Sequence, residues 1–112
     1  MGQMRMTWQT LAVLDVMLDR PAERHYGLEL TAAAGLKPGT IYPLLARLEG
    51  AGWLASDWEE IDERVEGRRR RRYYRLTGLG QRAARTALDA AIEAERRAGR
   101  TQRWRPAPRW GG

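Results

Sequence analysis

The sequence predicts a mainly α-helical chain with one small β-hairpin. Three observations carry this. Ile41, Leu44, Leu45 and Leu48 recur at i, i+3, i+4 and i+7, the spacing of one apolar helical stripe. Residues 53–76 read as two strands carrying Trp58, Ile61, Tyr73 and Tyr74 around a polar turn. Residues 78–98 read as one long helix with an almost all-alanine face: Ala83, Ala84, Ala87, Ala91 and Ala94, joined by Leu88 and Ile92.

At 112 residues the chain is long enough for one domain with a modest core. Apolar residues make up 43% of it, but Phe is absent and small Ala is common, so the core is thin and burial against a partner is expected to matter. No apolar run approaches the roughly 18 residues that would span a bilayer, and no membrane partner is expected. Met1 to Met6 lacks the apolar centre of a signal peptide. Without Cys there are no disulfides, no thiolate catalysis and no thiolate-ligated zinc. A cytoplasmic protein without a bound metal or cofactor is expected. Its net charge of +6 is unevenly placed: Arg68 to Arg72 and Arg75 crowd into residues 67–75 with no acid among them. Arg100, Arg103, Arg105 and Arg109 likewise occupy an acid-free tail. Clustered positive charge points to a polyanionic partner.

Met1 to Met6 reads as a loose arm. Thr7 is a suitable N-cap for a first helix over 7–20, which Pro21 discourages from continuing. Leu11, Leu14 and Leu18 lie together on that helix, and Val13 and Met17 widen the band. So broad an arc is either wrapped by the chain's own core or shared with a second chain. Trp8 stands apart from it. Ala22 to His25 is a short connection, Tyr26 to Ala34 a second helix, and Gly35 its left-handed C-terminal residue. His25 is the sole histidine, a structural or capping residue.

Pro38 then opens the helix of the apolar stripe, which ends near Gly50 to Gly52. Pro43 is tolerable only near the first turn. At about 100° per residue the face opposite the stripe is Gly39, Pro43, Ala46 and Gly50, with Thr40, Tyr42, Arg47 and Glu49 at its edges. A face of small residues with polar edges can lie flush in the major groove of DNA. Two helices joined by a short Gly-containing turn form a helix-turn-helix. The hairpin that follows is its wing, with Asp62 to Gly67 as the turn and five arginines at the tip and return strand. Thr77 caps the last helix, whose alanine face suits close approach of another backbone, either that of its own domain or that of a second chain, and two-fold dimers are the commonest oligomers. The organisation expected is a winged helix-turn-helix over 1–77, a C-terminal dimerisation helix over 78–98 and a flexible Arg/Trp/Pro-rich tail over 99–112.

These residues resemble the PadR family of bacterial transcription regulators. The resemblance rests on Tyr26-Gly27-Leu28-Glu29-Leu30, on Gly39-Thr40-Ile41-Tyr42-Pro43-Leu44-Leu45-Ala46-Arg47-Leu48-Glu49, on Gly52-Trp53-Leu54 and Trp58-Glu59, and on Tyr73-Tyr74-Arg75-Leu76-Thr77. It implies a homodimer that binds inverted-repeat operators in double-stranded DNA, usually as a repressor, with Thr40, Tyr42 and Arg47 on the DNA side. The expected DNA-binding set is Lys37, Gly39, Thr40, Tyr42, Pro43, Arg47, Arg68, Arg69, Arg70, Arg71 and Arg72. The expected dimer interface is Leu11, Leu14, Leu18, Ala84, Ala87, Leu88, Ala91 and Ile92. Family members often release DNA on binding a small aromatic molecule, which makes Trp8 the candidate effector residue. The chain departs from the family's usual Gly-Arg-Pro-Arg-Lys-Tyr-Tyr wing by carrying Arg70 where Pro would stand, which implies a more mobile wing.

The competing reading is an Arg-rich protein that binds RNA or DNA without sequence choice, through wing and tail. An enzyme is not expected. There is one His, no Gly-rich phosphate loop, and no carboxylate pair with a neighbouring base.

Overall fold

The computed structural model describes residues 6–99. The element order is α1 (Trp8–Leu18), β1 (His25–Tyr26), α2 (Gly27–Ala34), α3 (Pro38–Gly50), β2 (Leu54–Trp58), α4 (Glu63–Glu66), β3 (Arg72–Leu76) and α5 (Gly78–Gly99). The expected N-terminal arm, but for Met6, and the Arg/Trp/Pro tail from Arg100 onward lie outside the described residues.

Each helix start has a local cause. Thr7 caps α1 by accepting the Thr10 N–H at 3.2 Å. In α2, Glu29 reaches back to accept the Tyr26 N–H at 3.2 Å, and Gly35 ends the helix in the left-handed conformation at φ 70°. Pro38 occupies the first turn of α3, where its missing N–H costs nothing. Thr77 caps α5: its hydroxyl accepts the Gly80 N–H at 2.9 Å and donates to the Gly52 carbonyl at 2.7 Å.

The sheet has three antiparallel strands in the order β1-β3-β2, one more than the hairpin expected. His25 and Tyr26, expected to be a connection and a helix start, pair with Tyr74 and Tyr73 instead. Two residues are too short to show alternation. The Asp62 to Gly67 turn also contains the single-turn helix α4, with Asp62 capping the Arg64 N–H at 3.0 Å.

The core lies between α1, α2, α3 and the start of α5. It is built from Ala12, Val13, Leu14, Met17, Leu30, Ile41, Leu44, Leu45, Leu48, Leu54, Leu76 and Ala84. The broad arc of α1 is thus largely covered by its own chain. Gly80 lets α5 dock, because a Cβ there would overlap the Trp53 carbonyl. Past Ala84 the helix is less covered by its own chain, and most residues from Asp89 to Ala98 are exposed. No helix among the described residues is long and apolar enough to cross a membrane.

Candidate functional site

The site is built on α3. Ile41, Leu44, Leu45 and Leu48 are buried, which fixes the rotation of the helix. Lys37, Gly39, Thr40, Tyr42, Pro43, Ala46 and Arg47 therefore all lie on the outer surface. Pro43 is the sixth residue of the helix, just past its first turn. It takes away the N–H that would have bonded the Gly39 carbonyl. Among the described residues no carboxylate pairs with Lys37 or Arg47, so both charges are available to a ligand.

Tyr42 is held from the side by α2. Its ring lies over Gly27, where a Cβ would stand only 2.7 Å from Tyr42 Cε1 and 2.9 Å from Cζ. Gly27 therefore sets where the tyrosine sits on the outer face. Tyr26, Gly27, Leu28, Glu29, Tyr42, Arg71 and Arg72 line a cleft between the two helices and the wing. Sequence reasoning missed this cleft, because its walls come from three separate segments.

The wing arginines are not five free charges. Arg68 makes a forked pair with Glu59, at 2.7 Å to Oε1 and 3.2 Å to Oε2. Arg70 approaches Glu63 at 3.9 Å. Arg72 donates to Ser56 Oγ at 2.8 Å and reaches Glu49, at the C-terminal end of α3, at 3.5 Å. Ser56 in turn donates to Glu49 at 2.7 Å, so the wing is braced against α3. Trp58 stacks with Arg70 and Arg72, each guanidinium 5.4 Å from its ring centre. Only Arg69 and Arg71 lack a carboxylate partner among the described residues, and Arg71 lies 5.9 Å above the Tyr26 ring. The charges left for a polyanionic partner are thus those of two side chains. The other three meet carboxylates of their own chain.

Arg70 also bears on the expected mobility of the wing. Its backbone N–H donates to Glu63 Oε2 at 2.7 Å, a bond that proline at this position could not make. The departure from the family pattern adds a tie within the wing.

Glu59 carries a strongly depressed carboxyl. The fork from Arg68 holds its carboxyl down at about 2, against the opposing effect of burial, with help from the Arg71 N–H at 2.9 Å and the Tyr26 hydroxyl at 3.2 Å. The folded value lies below the unfolded one of about 4.3. Its contribution to stability is therefore complete above about pH 4.3 and is lost as pH falls toward 2. In urea titrations the stability gap between the unmodified protein and Glu59→Gln should be constant from pH 7 to 5 and close below pH 4. A gap that does not narrow in acid would contradict this assignment.

The expected dimer residues divide. Leu14 and Ala84 are fully buried inside the protomer and cannot meet a second chain. Leu11, Leu18, Ala87, Leu88 and Ala91 are half-buried, and Ile92 is exposed. Trp8 is 58% exposed at the start of α1, so it is not a core residue. It is not part of the groove between α1 and α5, which Asp15, Leu18, Asp19, Arg85, Leu88 and Asp89 line among others.

Residues 13–86 match the model of the transcriptional regulator PadR-like family. A PadR family transcription regulator from hypervirulent Clostridium difficile R20291 has a similar structure, with 22% identity and a TM-score of 0.66 over 80% of this chain and 93% of that one. A PadR family transcriptional regulator from Eggerthella lenta DSM 2243 is 29% identical, with a TM-score of 0.58 over 78% of this chain and 77% of that one. The transcriptional regulator BldR from Sulfolobus solfataricus shares the fold at 14% identity, with a TM-score of 0.63 over 88% of this chain and 66% of that one. No curated protein sequence matches the chain.

Proposed function

The chain belongs to the PadR-like family of transcriptional regulators, and from that premise we propose that it is a dimeric repressor that binds an inverted-repeat operator. The observation that carries this reading is the outer face of α3. Its apolar stripe is fully occupied by the core, and what remains outside is Thr40, Tyr42, Pro43, Ala46 and Arg47 beside a basic wing. Long acidic side chains, which would repel a phosphate backbone, are missing from that face between Lys37 and Arg47.

In this reading Thr40, Tyr42 and Arg47 touch base edges or the phosphates beside them. Lys37, Gly39 and Pro43 sit against the backbone. Arg69 and Arg71 supply the wing's attraction for phosphate, while Arg68, Arg70 and Arg72 chiefly shape the wing. The partner-facing set reduces to Leu11, Leu18, Ala87, Leu88, Ala91 and Ile92. Support comes from the outer half of α5, which has little of its own chain to pack against, although isolated helices of this length are marginal in water. A two-fold dimer would present its two α3 helices to half-sites about one helical turn, roughly 34 Å, apart. Trp8, exposed on α1, is the proposed contact for a small aromatic effector. The protein would act in the cytoplasm, where its operator lies.

Selection of bound sequences from a random duplex pool tests the reading. Enrichment of an inverted repeat supports it. Retention of duplexes and single-stranded RNA alike, without enrichment, would favour the Arg-rich non-specific binder.

A further inference from the structure

The carboxylate of Glu59 stands where a DNA-binding surface should least favour one, beside the basic wing. It is nonetheless saturated with donors. Oε1 accepts from Arg68 Nη1 at 2.7 Å and the Arg71 N–H at 2.9 Å. Oε2 accepts from Arg68 Nη2 and the Tyr26 hydroxyl, both at 3.2 Å. Its own N–H donates to the Arg71 carbonyl at 2.9 Å, so the residue closes the wing through backbone and side chain together. The side chain is only 11% exposed, which leaves it no room to meet a phosphate.

The four donors come from two parts of the site. Arg68 and Arg71 lie in the wing. Tyr26 is the residue that starts α2, immediately before the Gly27 on which Tyr42 of α3 rests. A continuous chain of contacts therefore runs from the wing through Glu59 and Tyr26 to Gly27 and Tyr42. The cleft lined by Tyr26, Gly27, Tyr42, Arg71 and Arg72 lies along that chain.

We propose that Glu59 is a positioning residue for DNA binding: without touching DNA, its carboxylate fixes the wing and α3 at the spacing that lets both engage one duplex. This rests on the reading of the protein as a DNA-binding regulator and adds a requirement to it. Arg68 is correspondingly the other half of the positioning device and not a phosphate contact.

Charge alone and positioning predict opposite signs. Glu59→Gln removes a negative charge facing a polyanion, so by charge alone binding tightens. It also replaces one of the two accepting oxygens with an amide NH2, which cannot take Arg68 as a fork and leaves one oxygen for the donors that two now share, so under positioning binding weakens. Arg68→Lys keeps the positive charge but cannot span both carboxylate oxygens, because an ammonium lacks the planar fork. It is neutral if Arg68 only attracts phosphate and weakening if Arg68 holds Glu59.

The experiment measures binding of the full chain and both variants to the duplex that the unmodified protein selects, with helical circular dichroism and hydroxyl-radical footprints on each complex. Expected is a loss of about tenfold for each variant, comparable to one charge-assisted pairing, with helical content kept. The protections at the wing flank should fade, while those under α3 persist; general loss of folding would erase both alike. Equal or tighter binding by Glu59→Gln with an unchanged footprint overturns the proposal. Should Glu59→Gln lose its helical signal, Arg68→Lys decides alone: weakened binding with a faded wing flank supports positioning, and unchanged binding overturns it. Failure of the unmodified protein to select any duplex would instead defeat the DNA-binding reading, which separates the two.

Discussion

Gly80→Ala should cost about 3 kcal/mol of folding stability, the upper end of what overpacking a filled site usually costs. The position is helical, so alanine would ordinarily help by up to about 1 kcal/mol. Here the new methyl would stand 2.7 Å from the Trp53 carbonyl carbon and 2.9 Å from its Cα, and would overlap the carbonyl oxygen. These are backbone atoms, so no side chain can rotate away. The same few residues fasten α5 to the turn after α3. Thr77 N–H donates to the Trp53 carbonyl at 3.0 Å, and the Thr77 hydroxyl bonds the Gly52 carbonyl. A shift of α5 strains all of them together. Small domains hold only about 5–15 kcal/mol in total, so the urea midpoint should fall markedly. A midpoint equal to that of the unmodified protein, or above it, would show that α5 does not dock this closely.

Ile92→Glu should turn the proposed dimer into a monomer. Ile92 is 44% exposed, so the substitution removes little from the protomer's own core. Its neighbours on the same side of α5, Leu88 and Ala91, are half-buried, and Glu at 92 would place a charge in the contact proposed for the second chain. A monomer loses the second half-site, and with it an avidity of about 10²–10⁴-fold on an inverted repeat. Sedimentation would follow the mass, and binding to one and two half-sites would follow the avidity. Binding to a single half-site should be nearly unchanged. If Ile92→Glu stays dimeric with full affinity for the repeat, the interface lies elsewhere.

What the sequence made legible follows from the range of each interaction. The α3 stripe is a local pattern, four buried residues within two turns, and it placed the outer face correctly. Thr77 as a cap and Gly35 as a left-handed terminator are equally local. The two-residue β1 had no pattern to read, because its partner strand lies almost fifty residues away at Tyr73 and Tyr74. The arginine run looked unpaired because its carboxylates lie outside it. Glu59 is nine residues from Arg68, Glu63 seven from the Arg70 N–H it accepts, and Glu49 twenty-three from Arg72. Helical spacing showed that Leu14 belongs to an apolar face, but not that this chain's own core fills the space beside it. The resemblance to a known family placed Tyr42 and Arg47 on one side of the helix. The reason Tyr42 keeps its place, the bare backbone of Gly27, needed the fold.

In the proposed mode of binding, α3 specifies the DNA sequence while the unpaired wing charges of Arg69 and Arg71 attract the duplex. This mode is tested most directly by binding of Arg47→Ala and Arg69→Ala to the selected operator and to random duplex over a series of salt concentrations. Arg47→Ala should lose about 1–3 kcal/mol on the operator and little on random DNA. Arg69→Ala should weaken both nearly alike and flatten the slope of log affinity against log salt by about one unit. Equal weakening of both DNAs by Arg47→Ala, together with lost discrimination in Arg69→Ala, would show instead that the wing, and not α3, reads the sequence.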